Sequence, residues 1–157
     1  MRPGYKDAIR ILLIVLIILT VAFIFIQSAK SPERSAEDSD RVGEMVEEII
    51  PPDTPPGEFI QINLRKIAHF VEFSVLGLEV ALYVWLFARK RSFILASYPI
   101  ALFIALIDET VQIFSGRGSS LSDVWLDFSG FLTTATLFYG IALLVARLHA
   151  HFKKQVE

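Results

Sequence analysis

Apolar residues in this chain gather into four blocks separated by polar stretches. The first, residues 11–26 (ILLIVLIILTVAFIFI), carries no charge. Extended by Ala8, Ile9 and a snorkelling Arg10, it reaches the ~20 residues that cross a ~30 Å hydrocarbon core. Arg2, Lys6 and Arg10 also suit a signal peptide. The run is longer than a usual h-region, however, and Gln27-Ser28-Ala29-Lys30 is a poor cleavage site, so the block reads as a retained helix. Three further blocks follow, opened by Arg65-Lys66, bounded by Arg89-Lys90-Arg91, and closed by Arg147 and a basic tail. The pattern predicts transmembrane helices over about 8–29, 67–88, 93–114 and 124–146, in a single domain spanning 1–157. The expected fold is all-α, a four-helix transmembrane bundle.

Between the first two blocks, residues 30–66 turn polar and acidic. Val42, Met45, Val46 and Ile49 recur there at i, i+3, i+4 and i+7, which makes one narrow apolar stripe. A short amphipathic helix is expected in this loop, resting on the protein or the lipid interface. Pro51, Pro52, Pro55 and Pro56 forbid its continuation.

Composition agrees with the membrane reading. Of 157 residues 54% are hydrophobic and mean hydropathy is +0.53, above a soluble domain. A net charge of −2 carries no signal for polyanions, and no nucleic-acid partner is expected. The chain has no cysteine, which excludes thiol nucleophiles, iron–sulfur clusters and disulfides. Lys and Arg in the short flanks set orientation. Arg2, Lys6, Arg10, the Arg89-Lys90-Arg91 turn, Arg147, Lys153 and Lys154 fall on one side. Both termini are therefore expected to be cytoplasmic, with residues 30–66 and 115–123 outside.

That topology collects polar residues that are distant in sequence. His69 and Glu72 lie roughly 5 and 9 Å below Lys66, and Asp108 and Glu109 roughly 10 Å below Ser115, at ~1.5 Å per residue. Asp123 opens the fourth block and Asp127 is one turn further in. Lys66, His69 and Glu72 share one helix face; Asp108 with Gln112, and Asp123 with Asp127, are i, i+4 pairs. Carboxylates facing lipid cost ~3 kcal/mol or more at the bilayer centre, so the three polar edges are expected to face one another. Asp108 and Glu109 need protonation, a cation, or Lys66 and Arg117 beside them.

These residues carry a family resemblance. Lys66-x-x-His69-Phe70-x-x-Phe73-x-x-Leu76-Gly77, Asp108-Glu109-x-x-Gln112-x-Phe114-x-Gly116-Arg117 and Ser122-Asp123-Val124-x-x-Asp127-x-x-Gly130 resemble the VanZ-like family in order and spacing. So does the serine-rich stretch from Ser28 to Ser39. Ser115 stands where proline is common, Phe73 where tyrosine is frequent, and Asp127 where asparagine often sits. The resemblance implies a small bacterial membrane protein of the cell envelope, with a namesake associated with low-level teicoplanin resistance. It implies no reaction.

Simpler roles compete with a functional one at several positions. Ser122 or Asp123 would cap the fourth helix. His69 and Glu72 would form one hydrogen-bonded pair, and Glu79 would bond across the bundle near Tyr83 or a threonine. Ser129, Gly130, Thr133, Thr134, Thr136 and Gly140 read as close helix packing, and His149 and His151 as solvated. No H-E-x-x-H, P-loop or G-x-S-x-G element is present, and Ser119 or Ser120 beside His69 is a weak nucleophile–base signal. Two readings follow. In the first, Lys66, His69, Glu72, Asp108, Glu109, Gln112, Arg117, Asp123 and Asp127 bind a membrane lipid or lipid-linked envelope precursor. In the second, His69, Asp108, Glu109 and Asp127 act catalytically on such a precursor, with a divalent cation at His69, Glu72, Asp108 and Glu109. A proton-coupled transporter fits less well, because four helices leave little room for alternating access.

Overall fold

The structure, a computed structural model, describes residues 3–88, 90–118 and 120–156. Arg2 and Arg89, two cations of the orientation argument, and Ser119, one of the two candidate nucleophiles, lie outside the described residues. The described residues form five helices and no strand: α1 (Pro3–Ser28), α2 (Pro32–Glu47), α3 (Pro55–Tyr83), α4 (Arg91–Phe114) and α5 (Leu121–Val156). A π-helical turn, Val84–Ala88, continues α3. Four segments are long and apolar enough to cross a membrane: Gly4–Ser28, Pro55–Ala88, Arg91–Phe114 and Leu121–Lys153.

All four long helices outrun the hydrophobic pattern, α1 by starting at Pro3, α4 by starting at Arg91 and α5 by running from Leu121 to Val156. The second long helix starts at Pro55, not near 67, and the reason is local. Thr54 caps it by accepting from the Gly57 amide at 3.3 Å, and Pro55 and Pro56 occupy its first positions. Proline there lacks only an amide that would be unpaired anyway. The prolines that stop one helix therefore start the next. The loop helix likewise begins early, at Pro32, and ends at Glu47. Ile49, the last residue of the expected stripe, falls in the turn beyond and is exposed. What holds α2 to α3 is Gln61, whose amide donates to the Gly43 carbonyl at 3.3 Å and to Glu47 Oε1 at 3.2 Å.

The α3–α5 pair is the most extensive helix contact, with α1 leaning on α3 and α4, and α4 on α5. Phe73, Leu76 and Ala81 of α3 meet Phe131 and Ala135 of α5, joined by Ala101 and Ala105 of α4 and Ile24 of α1. Large apolar side chains line the outside, among them Ile11, Ile18, Leu19, Phe103, Leu137 and Ile141. In lipid such groups drive no association, so close packing of small residues must supply it. Two glycines do so. A Cβ on Gly77 would lie 2.8 Å from the Phe131 carbonyl oxygen, and one on Gly130 would lie 2.3 Å from the Phe70 carbonyl oxygen. Gly140 has open space instead, and Thr136 reaches the Tyr98 hydroxyl at 3.1 Å.

Gly130→Ala must push α3 and α5 apart and is expected to cost about 1–3 kcal/mol. Gly140→Ala gains helix propensity without a clash and is expected to be neutral or up to ~1 kcal/mol more stable. Thermal unfolding in mild detergent compares them; equal stability of the two variants would show that the glycine contact is dispensable.

Candidate functional site

One end of the bundle is built around Asp108. It is fully buried, and both of its oxygens accept a hydrogen bond. Ser28 Oγ at the end of α1 donates to Oδ1 at 2.5 Å, and Gln112 Nε2, one turn along α4, donates to Oδ2 at 3.0 Å. Gln112 is oriented in turn, since Arg65 Nη2 on α3 donates to its Oε1 at 2.7 Å. A donor chain thus runs from an α3 guanidinium through an α4 amide to a buried carboxylate.

His69 and Asp127 complete the centre. His69 Nδ1 lies 3.7 Å from Asp108 Oδ2 and 3.6 Å from Asp127 Oδ1. Asp127 is only 1% exposed, yet neither of its oxygens has a hydrogen-bond partner, and neither does His69 Nδ1. Three helices therefore deliver one ligand-type atom each, all within 4.8 Å of one another.

The loop after α4 closes over this centre for a definite backbone reason. Gly116 takes φ +76°, the left-handed conformation glycine tolerates. The Gly116 amide donates to the Ile113 carbonyl at 3.1 Å and the Arg117 amide to the Gln112 carbonyl at 3.0 Å. This pairing is a Schellman motif, which ends the helix and folds the chain back. Arg117 is buried as a result, and its Nη1 donates to the Gln27 carbonyl at 2.9 Å, at the C-terminus of α1. Burial, and then the like charge of Arg65, lower the Arg117 pKa from its ordinary value, while Asp108, Glu109 and Glu72 oppose that shift.

Two cavities meet at this centre. The first, about 240 Å³, is bordered by Arg65, Lys66, His69, Glu109, Gln112, Asp123 and Asp127. The second, about 430 Å³, runs between α1, α2 and α3 and includes Phe23, Gln27, Asp38, Arg65, His69, Val71, Glu72 and Arg117. Arg65 and His69 border both. Beside the second cavity Lys30 is held by Asp38 at 2.5 Å, a bond that keeps the Asp38 carboxyl below its ordinary pKa. A third hollow of about 490 Å³ continues along α1 and α3 past Leu16, Leu19, Thr20, Phe23, Val71, Glu72 and Val75.

All nine residues singled out from the sequence border this region, though in different roles. His69, Asp108 and Asp127 form the centre, and Gln112 and Arg117 support it. Lys66, Glu109 and Asp123 edge the first cavity, while Glu72 edges the second. His69 turns to the two aspartates rather than forming the expected pair with Glu72. Nor do Ser122 and Asp123 cap α5. Its first residue is Leu121, and Ser120 Oγ accepts from the Ser122 amide at 3.1 Å. Asp123 is thereby released to the cavity. Glu79 does find a threonine, accepting from Thr20 Oγ1 at 3.0 Å.

Sequence reasoning missed Arg65, Ser28 and Gln27. For Arg65 the signal was present, because positions 65, 69 and 72 share a helix face as well as 66 and 69 do. Gln27 had none, and Ser28 only its place at the head of the serine-rich stretch, since nothing in the sequence says which side of α1 meets α4.

No curated protein and no solved structure matches the chain. A family model described as VanZ/LLP1 matches residues 13–145, a span that holds Pro55–Ala88 and Arg91–Phe114 whole, most of the other two long apolar segments, and every residue of the polar centre. The chain belongs to the VanZ/LLP1 family.

Proposed function

We propose that the pocket binds the anionic headgroup of a membrane lipid or lipid-linked envelope precursor at the outer face of the bacterial plasma membrane. Both termini are then cytoplasmic, and binding lowers susceptibility to teicoplanin-type glycopeptides. One observation carries this reading: the polar pocket also opens sideways. Arg65 and His69 border both the first cavity and the α1–α3 groove, and Phe23, Val71 and Glu72 carry that groove on into the third hollow. A soluble ligand would need only the first opening. A lipid would use both, with its headgroup near Arg65 and Lys66 and its tail along Leu16, Leu19 and Val75. In the same reading α2 lies at the interface as an amphipathic helix, with the exposed Val42 and Met45 toward lipid and Gln61 holding its other side.

A second reading has one observation of its own. His69, Asp108 and Asp127 converge at the pocket floor, as acid–base or metal-assisted hydrolase or transferase chemistry on the same lipid-linked substrate would require. Loss of the lipid phosphate or transfer of the headgroup during incubation would favour it over binding alone.

The orientation is testable because the chain has no cysteine. A single cysteine in place of the exposed Ser120 is expected to react with a membrane-impermeant maleimide in intact cells; reaction only after lysis would put the pocket on the cytoplasmic side. For the ligand, Arg65→Ala removes a charged donor and is expected to weaken binding of a short polyprenyl phosphate about 10- to 100-fold. Val71→Trp fills the groove and is expected to abolish protection against teicoplanin, whereas Leu137→Trp, on the outer face of α5, leaves it intact. Full protection by both groove and arginine variants at normal membrane abundance would sink the reading.

A further inference from the structure

We propose that His69, Asp108 and Asp127 bind one divalent transition-metal ion of the zinc or manganese class at the floor of the pocket. In taking the pocket as a binding site this rests on the headgroup reading, but it invokes no lipid. The distances make the first argument. A hydrogen bond from the imidazole would bring Nδ1 to about 3.2 Å or less. The actual separations, 3.7 Å to Asp108 and 3.6 Å to Asp127, are too long for that. Two ligand atoms each about 2.1 Å from a shared ion at a tetrahedral angle stand about 3.4 Å apart. The spacing fits atoms that share a cation better than atoms that share a proton.

The second argument is independent of spacing. Asp127 is 99% removed from solvent, yet both of its oxygens lack a hydrogen bond. Buried carboxylates are normally satisfied, and Asp108, one helix away, has a donor on each oxygen. The hydrogen bonds of the nearby guanidiniums go elsewhere, from Arg65 Nη2 to Gln112 and from Arg117 Nη1 to the Gln27 carbonyl, and neither reaches Asp127. Among the described residues no group donates a hydrogen bond to Asp127, and its carboxylate and the His69 Nδ1 3.6 Å away face a position suited to a cation.

Charge and support agree with that position. A divalent ion with two carboxylates and a neutral imidazole is electrically neutral, which suits a site below the membrane surface. Asp108 already carries the outer hydrogen bonds that orient a metal-ligating carboxylate, from Ser28 and Gln112, and Arg65 fixes Gln112. The donor set selects the metal class. Imidazole disfavours calcium and magnesium, and carboxylates without sulfur disfavour copper(I). Three protein ligands leave coordination positions open, and His69 and Asp127 both border the first cavity, so the open side faces it. Compared with the set His69, Glu72, Asp108 and Glu109 expected from sequence, Asp127 takes the place of both glutamates.

The test is metal binding by the purified full-length protein in mild detergent. After dialysis against a chelator, the wild type is titrated with ZnCl₂ and MnCl₂, and metal content is measured by elemental analysis. About one ion per chain is expected. Asp127→Asn and His69→Gln are each expected to lower affinity more than 100-fold. Gln112→Ala, acting through Asp108, is expected to lower it about 10- to 100-fold, and Glu79→Gln to leave it unchanged. A wild type that binds neither ion stoichiometrically overturns the proposal, whatever the variants do. So does a folded Asp127→Asn/His69→Gln double variant that binds as the wild type. A protein that takes up neither ion yet binds polyprenyl phosphate sinks only the ion, whereas one that takes up the ion and ignores polyprenyl phosphate sinks only the headgroup reading.

Discussion

Two aspartates that solvent cannot reach, Asp108 and Asp127, impose the constraint from which most of this architecture follows. A carboxylate removed from water needs donors or positive charge close by. Asp108 meets that need by drawing in three neighbours. The end of α1 supplies Ser28, the next turn of α4 supplies Gln112, and α3 supplies Arg65 through Gln112. The bonds from Ser28 and Arg65 tie α1 and α3 to one point on α4. The polar centre therefore fixes the positions of helices whose outer surfaces are all apolar.

Backbone contact then sets the distances at that point. Gly130 touches the carbonyl of Phe70, the residue after His69, and stands three positions beyond Asp127. The α3–α5 approach that only glycine permits is what brings His69 Nδ1 to within 3.6 Å of Asp127. A side chain at 130 would widen the helix gap and the His–Asp gap together. Packing and chemistry are in this sense one feature, and Gly116 plays the matching part above, where its left-handed turn lowers Arg117 onto the end of α1.

Four long helices and the gathering of polar residues at one end were readable from the sequence, because hydropathy and helical spacing act locally. Helix starts were less readable. Pro55 and Pro56 register as breakers in a pattern search, and only the Thr54 cap reveals them as first-turn residues. At the centre, spacing identified His69, Asp108 and Asp127 as inward-facing but could not choose His69's partners. Glu72 shares its helix face, whereas the aspartates reach it only after three helices pack. Ser28 stood in the serine-rich stretch without a role for the same reason, since that role depends on where α1 crosses α4.

The two openings give the centre a direction. Toward the first cavity stand the charged side chains of Lys66, Glu109 and Asp123, a wet and ionic boundary. Toward the α1–α3 groove stand Phe23, Val71 and, further along, Leu16, Leu19 and Val75. In the proposed reading an amphiphile would meet both boundaries at once. Tight packing between α3 and α5 closes the back of the centre, while the looser seat of α1 on α3 leaves the side open. Helix α1, which supplies Ser28 to Asp108, is also a wall of that groove, so in the proposed reading a tail lodged there would bear on the geometry of the buried aspartate through α1.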